Sequence, residues 1–176
     1  MNNLSKNAEK VLKKLPHFSP RPQDCFSGLQ TSSLFKYEED GSTYKGPHKN
    51  GLREGFGEQV MVDGSYYVGY WKKDKKNGFG RLVRPDGRYY EGEWKEGKLN
   101  GEGTFTGVNG ESYTGEWRDG RQNGFGKARW PDKTTYEGQY REDYKHGQGV
   151  MKFDDGSKYE GQFVNGRFEG EGKPKF

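Results

Sequence analysis

The sequence predicts an all-β protein, an elongated, twisted antiparallel ribbon of β-hairpin repeats preceded by a short N-terminal amphipathic helix and an extended linker. Three observations predict it. Aromatic residues make up 15% of a 176-residue chain whose hydrophobic content is only 28%. Glycine is abundant, at 29 residues. A tyrosine-led pattern returns every 23 residues from Tyr44 onward. The mean hydropathy of -1.29 would suit a disordered chain if the rings were ignored. Burial must therefore come from rings rather than from a Leu/Ile/Val core, which favours a thin architecture over a compact single-core globule.

Residues 1–33 read as an N-terminal extension. Leu4, Ala8, Val11, Leu12 and Leu15 recur at helical spacing, with Lys6, Glu9, Lys10, Lys13 and Lys14 around the opposite side. This predicts an amphipathic helix over about residues 4–15, stopped by Pro16. The stretch PHFSPRPQDCFSG then reads as an extended, Pro-rich linker. Leu4, Val11, Leu12 and Leu15 are expected to anchor a partner. A mitochondrial presequence is the weaker reading, because Glu9 and the lack of Arg before Arg21 oppose it.

Residues 34–176 read as a repeat domain, with repeats starting at Tyr44, Tyr67, Tyr90, Tyr113, Tyr136 and Tyr159. Five are full length and the sixth is shortened. Each opens Tyr-x-Gly and carries a second Gly pair, such as Gly78 and Gly80 or Gly124 and Gly126. In the third repeat Tyr90, Gly92 and Trp94 alternate with Glu91 and Glu93, the period of two of a strand with one apolar and one solvated face. KEGKLNG then supplies a turn, with Gly97 at positive φ, and GTFTG resumes an extended segment. Pro85 to Gly87 suits a three-residue hairpin with a bulge, as do Val108 to Gly110, Asp154 to Gly156 and the variant Pro131 to Lys133.

That loop specifies a register. It pairs Arg84 with Arg88, Leu82 with Tyr90, Arg81 with Glu91 and Gly80 with Gly92. The same count in the Pro131 to Lys133 hairpin sets Lys127 opposite Glu137 and Gly126 opposite Gly138. Glycine opposite glycine leaves bare backbone across which neighbouring rings can lie. A lone hairpin buries too little to be stable, so the repeats are expected to stack, with Pro174 blunting the last edge.

The motif Tyr-x-Gly-x-Trp-x-x-Gly-x-x-x-Gly-x-Gly at this spacing resembles the MORN repeat, and the resemblance covers 133 of the 176 residues. The first repeat departs from it, with His48 where Trp is usual, and Asp74 and Asp143 replace the turn Gly. The resemblance implies a MORN solenoid. It also implies a place among small structural parts of cilia and flagella, including radial-spoke heads, or of other cytoskeletal assemblies.

No chemistry stands out. Gly78 to Gly80 lacks the strand-to-helix context and the Lys-Ser/Thr of a phosphate loop. His17, His48 and His146 lie far apart and Cys25 is alone, so no catalytic residue, cofactor site or metal set is assigned. Glu91, Glu93, Glu116, Glu137 and Glu160 alternate onto a solvated face without an enclosing pocket. An enzyme is not expected. The single cysteine points to a reducing, cytoplasmic location. No apolar run approaches the roughly 20 residues of a membrane span, and a secretory signal is not expected. Residues 1–33 carry five Lys/Arg and two Asp/Glu, a net +3, which leaves +1 for the remainder. No nucleic-acid groove is expected from so even a balance.

The leading expectation is a non-catalytic protein–protein scaffold. Rings are favoured over charges for partner contact: Phe56, Phe79 and Phe125 between the paired glycines, and Trp71, Trp94, Trp117 and Tyr140 on the ring-bearing face. Most of these rings are also expected to pack between repeats. The alternative is a phosphoinositide or anionic-membrane contact at Lys72, Lys73, Lys75 and Lys76, in a stretch with seven Lys/Arg against two Asp; junctophilin-like members of the family imply such a role. A second alternative is the regulatory subunit of an enzyme carried on a partner, as the resemblance to members bearing kinase or methyltransferase domains implies.

Overall fold

The computed structural model describes residues 4–19, 36–37 and 39–170. Most of the Pro-rich linker with Cys25, and the terminal Gly172 and Pro174, lie outside the described residues. The chain divides into two compact units, Met1–Lys98 and Leu99–Phe176.

In the first unit the helix α1 spans Lys6–Leu12. It is shorter than the apolar spacing suggests because Ser5 caps it, accepting from the Ala8 N–H at 3.1 Å. At its other end Lys14 N–H donates to Val11 O, a tightened last turn. The strands are β1 (Lys36–Tyr37), β2 (Thr43–Lys45), β3 (His48–Lys49), β4 (Leu52–Arg53), β5 (Gly55–Val60), β6 (Tyr66–Lys72), β7 (Lys75–Val83) and β8 (Tyr89–Lys95). They run as antiparallel neighbours in the order β1-β2-β5-β6-β7-β8, with β3 and β4 paired separately. The second unit contains β9 (Lys98–Thr106) from its second residue onward, β10 (Ser112–Arg118), β11 (Arg121–Arg129), β12 (Thr135–Arg141), β13 (Tyr144–Lys152), β14 (Lys158–Val164) and β15 (Arg167–Glu169), neighbours in chain order.

The expected register holds. Leu82 faces Tyr90, Arg81 faces Glu91 and Gly80 faces Gly92; Lys127 faces Glu137 and Gly126 faces Gly138. The Arg84 N–H donates to Arg88 O at 2.8 Å, which closes the Pro85 to Gly87 loop. The loop aspartates have a task the composition did not reveal. Asp63, Asp86, Asp132 and Asp155 each accept, through Oδ1, from the N–H two residues on, forming Asx turns.

The other turn of each repeat is a tight two-residue turn in which both residues have positive φ, such as Glu96 at 50° and Gly97 at 84°. It also joins repeats. Gly97 N–H donates to Lys76 O, Asp143 N–H to Gln122 O and Gly166 N–H to Lys145 O, each at 2.9 to 3.0 Å. Where Asp replaces the turn glycine its carboxylate adds a second link: Asp74 Oδ1 accepts from Arg53 N, and Asp143 Oδ1 from Gln122 N, both at 2.8 Å. Sequence reasoning did not anticipate the register shifts between Gly69 and Trp71, Gly115 and Trp117, and Gly138 and Tyr140. Gly78 at φ 95° and Gly124 at φ 100° lie opposite these irregularities.

The core is a ladder of rings. In the first unit Tyr44, Trp71, Tyr67, Trp94 and Tyr90 meet edge to face at 5.1 to 5.6 Å. In the second, Trp117, Tyr113, Tyr140, Tyr136, Phe163 and Tyr159 do so at 4.9 to 5.2 Å. Such pairs each contribute about 0.5–1.5 kcal/mol beyond burial. Tyr44, Tyr67, Tyr113 and Tyr136 lie over the second glycine of a pair, at Gly57, Gly80, Gly126 and Gly149. A Cβ at Gly80 would sit 2.6 Å from Tyr67 Cζ, so only glycine admits the ring.

Candidate interaction surface

The ring face is largely consumed by folding. Trp71, Trp94, Trp117 and Tyr140 are buried, and each indole Nε1 donates to a glycine carbonyl 14 residues back. The acceptors are Gly57 O for Trp71, Gly80 O for Trp94 and Gly103 O for Trp117. The Tyr67, Tyr90, Tyr113, Tyr136 and Tyr159 hydroxyls each donate to the carbonyl three residues on. Burial drives the Tyr67, Tyr113 and Tyr140 phenols above their ordinary pKa. The Tyr140 hydroxyl is buried with no hydrogen-bond partner.

The opposite face differs between the units. In the first, the N-terminal segment folds back onto it. Ser5 Oγ donates to Pro85 O at 2.8 Å, Ala8 is fully buried, and Val11 and Asn7 pack against the Gly87 turn. Past the helix, Phe18 stacks on Phe79 at 5.5 Å and 12°, and on Phe56 at 6.2 Å and 9°. Arg81 holds this arrangement together: it donates to Pro16 O at 2.8 Å, pairs with Glu91 at 2.6 Å and places its guanidinium 5.2 Å from the Phe18 ring centroid.

Of the residues expected to meet a partner, Phe56 and Phe79 are therefore engaged by the chain's own Phe18. Leu4, Val11, Leu12 and Leu15 are all half-buried. Phe125 is 54% exposed. Sequence reasoning places Arg81 only opposite Glu91 and does not single out Phe18, although a ring two residues after Pro16 was the available signal.

The lysine cluster splits. Lys72, Lys73 and Lys75 are all exposed, and Lys75 also pairs with Glu96 at 2.7 Å on the surface. The Lys76 ammonium lies 5.2 Å from the Tyr67 ring and 5.5 Å from Trp94. Burial, reinforced by Arg53 and Arg84, pushes its pKa down to about 8. The strand carboxylates are occupied too: Glu137 pairs with Lys127 at 3.3 Å, Glu160 with Lys158 at 2.6 Å, and Glu116 accepts from the Phe125 N–H at 2.7 Å. Among the described residues no cluster of His, Cys, Asp and Glu is arranged to hold a metal ion, and no helix is long and apolar enough to cross a membrane.

The MORN-repeat model matches residues 49–66, 67–87, 90–112, 113–135, 136–158 and 159–173. The chain belongs to the MORN-repeat family. MORN repeats act as protein-interaction or membrane-binding modules, and the family is generally non-catalytic. The curated proteins contain no match to this MORN chain. Among solved structures it is similar to the TCP domain of Drosophila melanogaster SAS-4 (dCPAP), in complex with a proline-rich motif of Ana2 (dSTIL). That domain is 14% identical over 84% of this chain and 95% of the other, with a TM-score of 0.30.

Proposed function

We propose that this MORN chain is a non-catalytic protein–protein interaction scaffold and a structural part of a cytoplasmic cytoskeletal or axonemal assembly. The observation that carries the scaffold reading is Phe125, more than half exposed on strands whose other face is committed to the ring ladder. A large exposed ring on a rigid sheet supplies apolar contact area at little cost in ordering. The axonemal placement rests on the family resemblance. The membrane alternative has less support, since Lys76 points between rings and the exposed Lys75 has the Glu96 carboxylate 2.7 Å away, which reduces the local positive charge.

Sequential extraction of the source cells with detergent and then high salt tests the reading. Retention in the detergent-insoluble fraction is expected, with release only at high salt. Release by detergent alongside membrane markers would overturn it, and the substitutions Lys72→Glu and Lys73→Glu would then test whether these exposed charges hold the lipid.

A further inference from the structure

The seat that holds Phe18 recurs two repeats later with the same strand register. Phe79, Gly80 and Arg81 face Glu93, Gly92 and Glu91 across β7 and β8. Phe125, Gly126 and Lys127 face Gln139, Gly138 and Glu137 across β11 and β12. In both, a phenyl ring stands beside a cation paired across the strands with a glutamate. The first seat is filled from within the chain by an aromatic ring and a backbone carbonyl. In the second, Phe125 is exposed.

The flank of the second seat has changed in character. Where the first seat has Phe56 opposite Tyr70, the second has Glu102 opposite Glu116. Two carboxylates directly opposite one another on a sheet repel, and a cation brought beside them is attracted.

We propose that the Phe125 seat is a docking site for an extended segment of another protein that carries an aromatic side chain next to basic residues. This rests on the interaction-scaffold reading and names its partner chemistry. The ring stacks on Phe125 over the Lys127 ammonium, as Phe18 stacks on Phe79 over Arg81. A backbone carbonyl two residues before the ring accepts from Lys127, which retains donors beyond the one used on Glu137. The basic side chain lies against Glu102.

The probe is a fluorescent peptide of residues 13–19, which places two lysines, a proline and Phe18 in the required order. It is titrated by anisotropy into the full-length chain, whose first seat is already filled. Saturable binding is expected, weakened at least about tenfold by Phe125→Ser and weakened further as salt rises or in Glu102→Lys. Phe125 is exposed, so unchanged circular dichroism and melting temperature are expected to show that Phe125→Ser still folds. No binding overturns the proposal. So does binding indifferent to Phe125→Ser; strengthening of that binding by Phe18→Ala in the protein would assign the peptide to the first seat. Dimerisation of the unmodified chain that is lost in Phe125→Ser would assign the seat to a second copy and also overturn it. Peptide binding by a chain that detergent extracts with membranes would retire the scaffold reading while leaving the seat intact.

Discussion

The indole Nε1 of Trp117 donates to the carbonyl of Gly103 at 3.1 Å, one rung of a ladder in which each tryptophan is tied to the glycine pair of the preceding strand. Tyr140 takes the same position one repeat later, and its hydroxyl has no partner. An unsatisfied buried hydroxyl costs about 1–3 kcal/mol. Tyr140→Phe is therefore expected to stabilise the protein by about 1 kcal/mol, since Phe163 fills the next equivalent position fully buried. A urea midpoint raised without a change in slope is the expected reading.

The hairpin loops place glycine at positive φ in Gly64, Gly87, Gly110 and Gly156, but the equivalent residue of one loop is Lys133, at φ 68°. A non-glycine residue held there costs about 1 kcal/mol. Lys133→Gly should recover part of this, because its ion pair with Asp154 at 3.3 Å is exposed on both sides and worth about 0.5 kcal/mol. Gly110→Ala should lose about 1 kcal/mol by the same conformational argument, since nothing lies within 4 Å of the added Cβ. Thermal melts of the two variants should shift in opposite directions.

A steric version of the same comparison separates the two kinds of glycine. Gly80→Ala meets Tyr67, a fully buried ring whose hydroxyl is bonded to Tyr70 O at 3.1 Å. The ring cannot move without breaking that bond and its contacts with Trp71 and Trp94. A loss of about 3 kcal/mol is expected, well beyond that of Gly110→Ala. Gly80 is not among the glycines held at positive φ, so a loss no larger than that of Gly110→Ala would show that the Tyr67 ring yields and that ring coverage does not select glycine at Gly80.

Lys76 makes stability depend on pH. Burial lowers its folded-state pKa to about 8 from 10.5, so between these values the unfolded chain binds more protons than the folded one. Stability from this group rises with pH through that window, and its penalty is fully present below about pH 8. Lys76→Met keeps the aliphatic contact and removes the buried charge. Its melting temperature should exceed that of the unsubstituted chain at pH 7, and the gap should narrow by about pH 10. Tyrosine ionisation is common to both proteins and cancels in the difference.

The repeat phase, the strand pairing of Arg81 with Glu91 and of Lys127 with Glu137, and the placing of rings over glycines were all legible in the sequence. Each depends on local quantities: a period of two along the strand, a loop of set length and a 23-residue return. The amphipathic helix was legible too, as a short element ending before Pro16.

The destination of that helix was not legible, because its apolar stripe fits a partner and its own sheet equally well. Only the folded chain joins Phe18 to Phe79 and Pro16 to Arg81, which is 65 residues away from Pro16 in sequence. The same folding separates residues that looked alike. It buries Trp94, covers Phe79 and leaves Phe125 in solvent, and it splits one lysine run into exposed Lys72, Lys73 and Lys75 and ring-enclosed Lys76. The sequence by itself determined the repeat and its internal hydrogen-bonded register, since these are set by neighbours along the chain and across one turn. Which faces remain available for binding was decided by the tertiary structure, because exposure depends on what a distant segment covers.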